Sequence, residues 1–134
     1  MRTIKFRGKA IEGKRLGEWI HGAYLPDFDG YTHRTLIVDC ITGFSEEVNP
    51  ITIGQFTGLL DRNGKEIYEG DILQLDYITT TGKHRIGLSF EVKWCTQEGC
   101  WVGWDGFVES AFQQTRKMFV VKGNIYDNPE LINE

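Results

Sequence analysis

Leu88-Ser89-Phe90-Glu91-Val92-Lys93-Trp94 alternates apolar and polar residues without a break. A period of two marks a strand with one buried face, so Leu88, Phe90, Val92 and Trp94 share one side and Ser89, Glu91 and Lys93 the other. The segments around it have turn chemistry: Thr79-Thr80-Thr81-Gly82-Lys83 leads in, and Gln97-Glu98-Gly99 leads out. Beyond those turns lie Ile72-Leu73-Gln74-Leu75-Asp76-Tyr77, Cys100-Trp101-Val102-Gly103-Trp104 and Met118-Phe119-Val120-Val121-Lys122, each short and rich in β-formers. Val108 to Arg116 fits a loop or a helical turn. Asn128-Pro129-Glu130 has the order of a cap, a first-turn proline and a first-turn acid, which predicts a short C-terminal helical turn.

The N-terminal part reads the same way. Ile4 and Phe6 alternate with Thr3, Lys5 and Arg7, and further strands are expected at Trp19–Leu25, Leu36–Val38 and Ile51–Thr57. No long helical pattern interrupts these strands, which favours a mostly β fold built around a small open or closed barrel over a layered α/β fold. The chain of 134 residues is sized for one domain, with residues 1–60 as an N-terminal β part and 61–134 as the barrel part. Glycine is abundant, 16 in 134 residues or about 12% against the usual ~7%, and serves as punctuation between short strands.

Composition excludes several classes. The net charge of −4 gives no electrostatic footprint for a phosphate backbone, although Lys83, His84 and Arg85 sit together as a local basic group. No apolar run is long enough to span a bilayer, and the charged start Met1-Arg2-Thr3-Ile4-Lys5 has no secretory apolar core. The three cysteines are an odd number and widely spread, the pattern of reduced thiols rather than a disulfide framework. Cytoplasmic residence, with no membrane partner, is the expectation.

The chemical motifs are incomplete. Gly82-Lys83-His84-Arg85-Ile86-Gly87-Leu88-Ser89 lacks the lysine after its second glycine and opens a strand, so it is not a phosphate loop. Asp61-Arg62-Asn63-Gly64-Lys65-Glu66 starts like a calcium loop, but Glu66 stands where glycine is needed and Ile72 where the bidentate acid belongs. Cys95 and Cys100 have no second ligand pair at zinc spacing among His21, His33, His84 and Cys40. No nucleophile elbow occurs. No catalytic residue, metal or cofactor is therefore expected. The group Trp94, Trp101, Trp104 and Phe107 has three readings: barrel core, oligomer interface, or a stacking platform for unpaired bases. In the last case Trp101 and Trp104 with Lys83 and Arg85 would form the binding surface.

Three stretches together resemble the YopX family. They are Ile4-Lys5-Phe6-Arg7-Gly8-Lys9 with Gly17-Glu18-Trp19-Ile20-His21-Gly22, then Gln55-Phe56-Thr57-Gly58-Leu59 with Asp61 to Ile72, and finally Gly123-Asn124-Ile125-Tyr126-Asp127-Asn128-Pro129-Glu130-Leu131. The resemblance covers essentially the whole chain in order. Leu60 departs from an often polar position, and residues 73–110 are individual to this chain. The resemblance implies one YopX-like domain over 1–134, a phage or prophage origin, a mostly β architecture with an SH3-like barrel in the C-terminal part, and no assigned molecular function. Its motifs make sense as architecture: Asn63-Gly64 and Gly70-Asp71 as turns, and Gly123-Asn124 ending the last strand, with a positive φ expected at Gly70.

The functional expectation is a non-enzymatic accessory protein acting through protein contacts, by self-association or on a phage or host protein. The alternative is a single-stranded nucleic-acid-binding module, which the net charge disfavours. An enzyme with a site assembled only in space is the third reading, and it requires a histidine and a carboxylate converging in a pocket.

Overall fold

The computed structural model describes residues 3–26, 34–96, 100–104, 109–111 and 118–131. The chain divides into two compact units, Met1–Phe56 and Thr57–Glu134.

The first unit contains β1 (Phe6–Lys9), β2 (Trp19–Leu25), β3 (Leu36–Asp39), β4 (Ser45–Glu47) and the start of β5 (Gly54–Leu60). Its neighbours run β4-β3-β2-β1-β5, and each of these pairings is antiparallel. Register is fixed by which residues must be buried: Ile20, Ile37, Ala10 and Val48 make the core, with Phe6, Tyr24 and Ile53 against it. Gly22 is required where β2 meets β3, because a Cβ there would lie 1.8 Å from the carbonyl oxygen of Val38. The strand expected from Ile51 begins only at Gly54. Pro50 to Thr52 instead forms a 3₁₀ turn, because the Asn49 side chain accepts the Ile51 N–H and Pro50 occupies the first turn.

The second unit contains β6 (Glu66–Tyr68), β7 (Asp71–Ile78), β8 (His84–Cys95), β9 (Cys100–Trp104), β10 (Glu109–Ala111) and β11 (Phe119–Asn124). β6 lies beside β5, and the Thr57 hydroxyl donates to the Ile67 carbonyl at 2.8 Å. The other five strands form one antiparallel sheet in the order β10-β9-β8-β7-β11. Ile67, Leu73, Val92 and Trp101 are its core, joined by Leu59, Phe90, Phe119 and Val121.

One expectation is corrected. The SH3-like barrel is not seen as a closed barrel: among the described residues β10 pairs with β9 and β11 with β7, and the sheet is open. The C-terminal helical turn is confined to a three-residue 3₁₀ turn, Pro129–Leu131, and no α-helix occurs among the described residues. Asn128 turns its side-chain oxygen back toward the Asn124 N–H, at 3.4 Å. Gly123 and Asn124 end β11, as expected, with the register shifting between Val121 and Gly123. Glycine is needed at 123 because a Cβ would meet the Asn128 Oδ1 at 2.3 Å.

Asn63, Gly64 and Gly70 stand in turns as expected, while Asp71 opens β7. Asp61 organises the Asn63-Gly64 turn: its Oδ1 accepts the N–H groups of Asn63 and Lys65, at 2.8 and 2.9 Å. Its Oδ2 accepts the Val121 N–H at 2.9 Å, which ties the turn to β11. Gly70 has φ +90°, and Asp71 behind it is buried with its Oδ2 accepting the Tyr68 N–H. No helix among the described residues is long and apolar enough to cross a membrane.

Candidate functional site

The site is built on the hairpin of β7 and β8. Its turn is closed by Thr79, whose N–H donates to the Lys83 carbonyl and whose hydroxyl accepts the Lys83 N–H, with Gly82 at φ +85°. This turn pairs Ile78 with His84, Tyr77 with Arg85 and Asp76 with Ile86. Directly opposed and alternate residues share a face, so Asp76, Ile78, His84 and Ile86 lie on one side and Tyr77 and Arg85 on the other. The register shifts between Gln74 and Asp76, a bulge-like irregularity that re-aims the tip of the hairpin.

A cleft of about 700 Å³ opens at this end of the hairpin, lined by Arg62, Asp76, Tyr77, Ile78, His84 and Met118. Asp76 is its anchor, only 8% exposed. Its Oδ1 accepts from the Arg62 Nη1 at 3.0 Å and pairs with the His84 Nε2 at 2.7 Å. The His84 bond, with the Arg62 guanidinium second, holds the Asp76 carboxyl below the usual carboxylate range against the opposing effect of burial. Arg62 is placed by the Asp61 turn: its backbone N–H donates to the Phe119 carbonyl at 3.0 Å, and its Nη1 also reaches the Asp76 carbonyl. Two side chains, Arg62 and His84, therefore converge on one buried carboxylate oxygen. Around them Ile78 and Ile86 are 68% and 59% exposed.

The residues expected to bind are distributed differently. Trp101 is 5% exposed and packs its ring edge against Trp94, centroids 5.0 Å apart, so for Trp101 the core reading holds. Trp94 lies at the end of β8 and is partly exposed. Trp104 pairs with Glu91 and Glu109 through its backbone, and its side chain lies outside the described residues, as do Phe107 and His33. Lys83 and Arg85 are exposed at the hairpin, Arg85 on the face away from His84. The cluster that does form was missed, because Arg62 reads as turn filler and Asp76 as one polar residue in a mixed strand. The available signal was the Thr79–Lys83 turn, which by itself puts Asp76, Ile78, His84 and Ile86 on a common face.

The three cysteines are free thiols, Cys95 standing opposite Cys100 across β8 and β9. Among the described residues no group of three or more His, Cys, Asp or Glu side chains is placed to hold a metal ion.

The protein is similar in sequence and fold to a solved structure, protein EF1440 from Enterococcus faecalis, at 28% identity and a TM-score of 0.58 over 98% of this chain and 99% of that one. None of the curated proteins matches. The family model described as YopX protein matches residues 20–133, and the chain belongs to the YopX family.

Proposed function

We propose that this member of the YopX family is a non-enzymatic phage or prophage accessory protein that acts through protein–protein contacts and self-associates in the host cytoplasm. The family resemblance supports the phage origin. The contact reading rests on one observation: Ile78 and Ile86 stand exposed on the same hairpin face, next to the cluster of Arg62, Asp76 and His84. Exposed apolar residues grouped beside fixed polar groups are the composition of an interaction surface. The convergence of His84 and Asp76 is the arrangement that an assembled enzyme site requires, but Asp76 is bonded to His84 and to Arg62, and neither bond runs to a nucleophile. Size-exclusion chromatography with light scattering tests the reading. A mass above the 15.4 kDa of one chain is expected, and a strict single-chain mass at high concentration overturns self-association.

Single-stranded nucleic-acid binding is the second reading, favoured by the exposure of Lys83 and Arg85 at the same hairpin. The burial of Trp101 removes one of the two rings it needs. Salt-dependent binding of a single-stranded oligonucleotide is its test, and no binding at low salt ends it.

A further inference from the structure

We propose that Cys95 and Cys100 form a thiol–disulfide switch, closed across β8 and β9 by exchange with a low-molecular-weight disulfide of the glutathione class. This goes beyond the contact reading of the β7–β8 hairpin and does not depend on it.

The strand register brings the two sulfurs together. Cys95 is the last residue of β8 and Cys100 the first of β9, and they stand directly opposite each other in the antiparallel ladder. Opposed residues project to the same face. The Cα atoms of such a pair lie about 4.5 Å apart in the narrow kind of rung and about 5.5 Å in the hydrogen-bonded kind. Both spacings fall inside the roughly 4.4–6.8 Å that a disulfide spans. The pair is also the terminal rung, so the small approach that an S–S bond requires moves strand ends and not the middle of the sheet.

Both thiols are unbridged and half-buried, so a small disulfide in solution can reach them. Cys40 is exposed as well, but it is the one cysteine within Met1–Phe56, so its own unit holds no second thiol.

The next rung gives the bond something to hold. Trp94 pairs with Trp101 on the opposite face, ring centroids 5.0 Å apart, and Trp101 belongs to the core of the second unit. A covalent tie one residue further out keeps the two strand ends from parting and that ring pair closed.

The exchange balances without a cofactor. One cysteine thiolate attacks a sulfur of oxidised glutathione and expels one glutathione thiolate, leaving a mixed disulfide. The second cysteine thiolate attacks the protein sulfur of that disulfide and expels the other glutathione. Two protein thiols are oxidised to one S–S bond, one glutathione disulfide is reduced to two thiols, and the two protons pass to them. An excess of reduced glutathione runs the same steps backwards, which makes the bond a switch and not a scaffold in a reducing compartment.

The test equilibrates the full chain with glutathione buffers of increasing oxidised fraction, blocks the remaining thiols with N-ethylmaleimide and maps tryptic peptides by mass. Cys95 and Cys100 fall on one peptide, residues 94–116, and Cys40 on another. That peptide is expected to lose two hydrogens and take no maleimide, with the internal bond favoured at least about tenfold over glutathione adducts. In urea the preference should fall by about tenfold, because the register no longer aligns the thiols. Cys40→Ser should leave the bond intact, and Cys100→Ser should leave Cys95 with a glutathione adduct alone. Amide hydrogen exchange at residues 93–95 and 100–102 should slow severalfold in the oxidised chain. Glutathione adducts in place of the internal bond, a bond to Cys40, the same preference in urea, or unchanged exchange each overturn the proposal.

Discussion

Each unit of the protein buries an aspartate against an arginine, and the two are used in opposite ways. In the first unit Asp39 takes the Arg15 guanidinium on Oδ2, while its Oδ1 accepts the N–H groups of Ile41 at 2.7 Å and Thr42 at 3.1 Å. The Arg15 bond first, and then the two backbone bonds, lower its carboxyl to about 2. Two of its partners are local backbone and the third, Arg15, reaches in from the connection between β1 and β2, so the carboxylate staples the turn between β3 and β4. In the second unit Asp76 takes no backbone N–H among the bonds that hold it. Its partners are two side chains, Arg62 and His84, arriving from a separate loop and a facing strand. A carboxylate satisfied by backbone holds a turn. One satisfied by partly exposed side chains in a cleft holds those side chains in place for something else. The apolar surroundings follow the same division, since the Asp76 cluster sits in a cleft with exposed isoleucines on its hairpin.

Substitutions in each unit break or sharpen this contrast. The largest effect belongs to the first sheet. Gly22→Ala would drive a methyl into the Val38 carbonyl, which is backbone and cannot turn away. Urea titration is expected to show a loss of more than about 3 kcal/mol, the upper range for overpacking. Gly103→Ala, set against the movable ring of Phe90, should lose less.

Asp39→Ala comes next. It leaves the N–H groups of Ile41 and Thr42 without their acceptor, and about 2 kcal/mol is expected from unsatisfied donors. Acid titration checks the same staple. The folded value of about 2 lies below the ordinary 3.8, so this stabilisation is fully present above roughly pH 4 and is lost as pH falls toward 2. In Asp39→Asn, that part of the acid slope should vanish. The Asp76 carboxyl is also lowered, so it adds a loss of the same sign on acidification, one that Asp39→Asn leaves in place.

Gly70→Val follows, with an expected loss of about 1–3 kcal/mol by thermal or urea unfolding, because a branched residue is forced to positive φ. A Cβ at this position would also come within 3.3 Å of the Tyr126 ring. The smallest effect is predicted at the contact cluster itself. His84→Gln should change stability by no more than about 0.5 kcal/mol, as expected for an exposed ion-pair partner. A loss as large as that of Asp39→Ala would make both clusters staples and end the contrast.

Much of this architecture was legible in the chain, and the reasons differ by element. The hairpin strands could be read because Phe90, Val92, Glu91 and Lys93 obey a strict period of two. Gly64 and Gly70 could be read because both need positive φ, which the structure shows at +82° and +90°. The start of β5 was misread, since Ile51 and Ile53 alternate like a strand while the Asn49 cap and Pro50 impose a turn. The open edge of the second sheet was illegible, because strand count does not say whether the first and last strands meet. The cluster of Arg62, Asp76 and His84 depends on a register shift at Gln74 and Asp76 and on the tie from Asp61 to Val121, sixty residues away. Neither leaves a local trace in the sequence.

The central claim is that the hairpin face exists for contact and not for folding, and it is tested most directly by one paired measurement on the variant Ile78→Ser/Ile86→Ser. Light scattering and thermal melting of this variant beside the parent should show the oligomer reduced to single chains with the melting of the protomer preserved. Parent and variant sharing one mass, or a variant that loses its fold along with its partner, would contradict it.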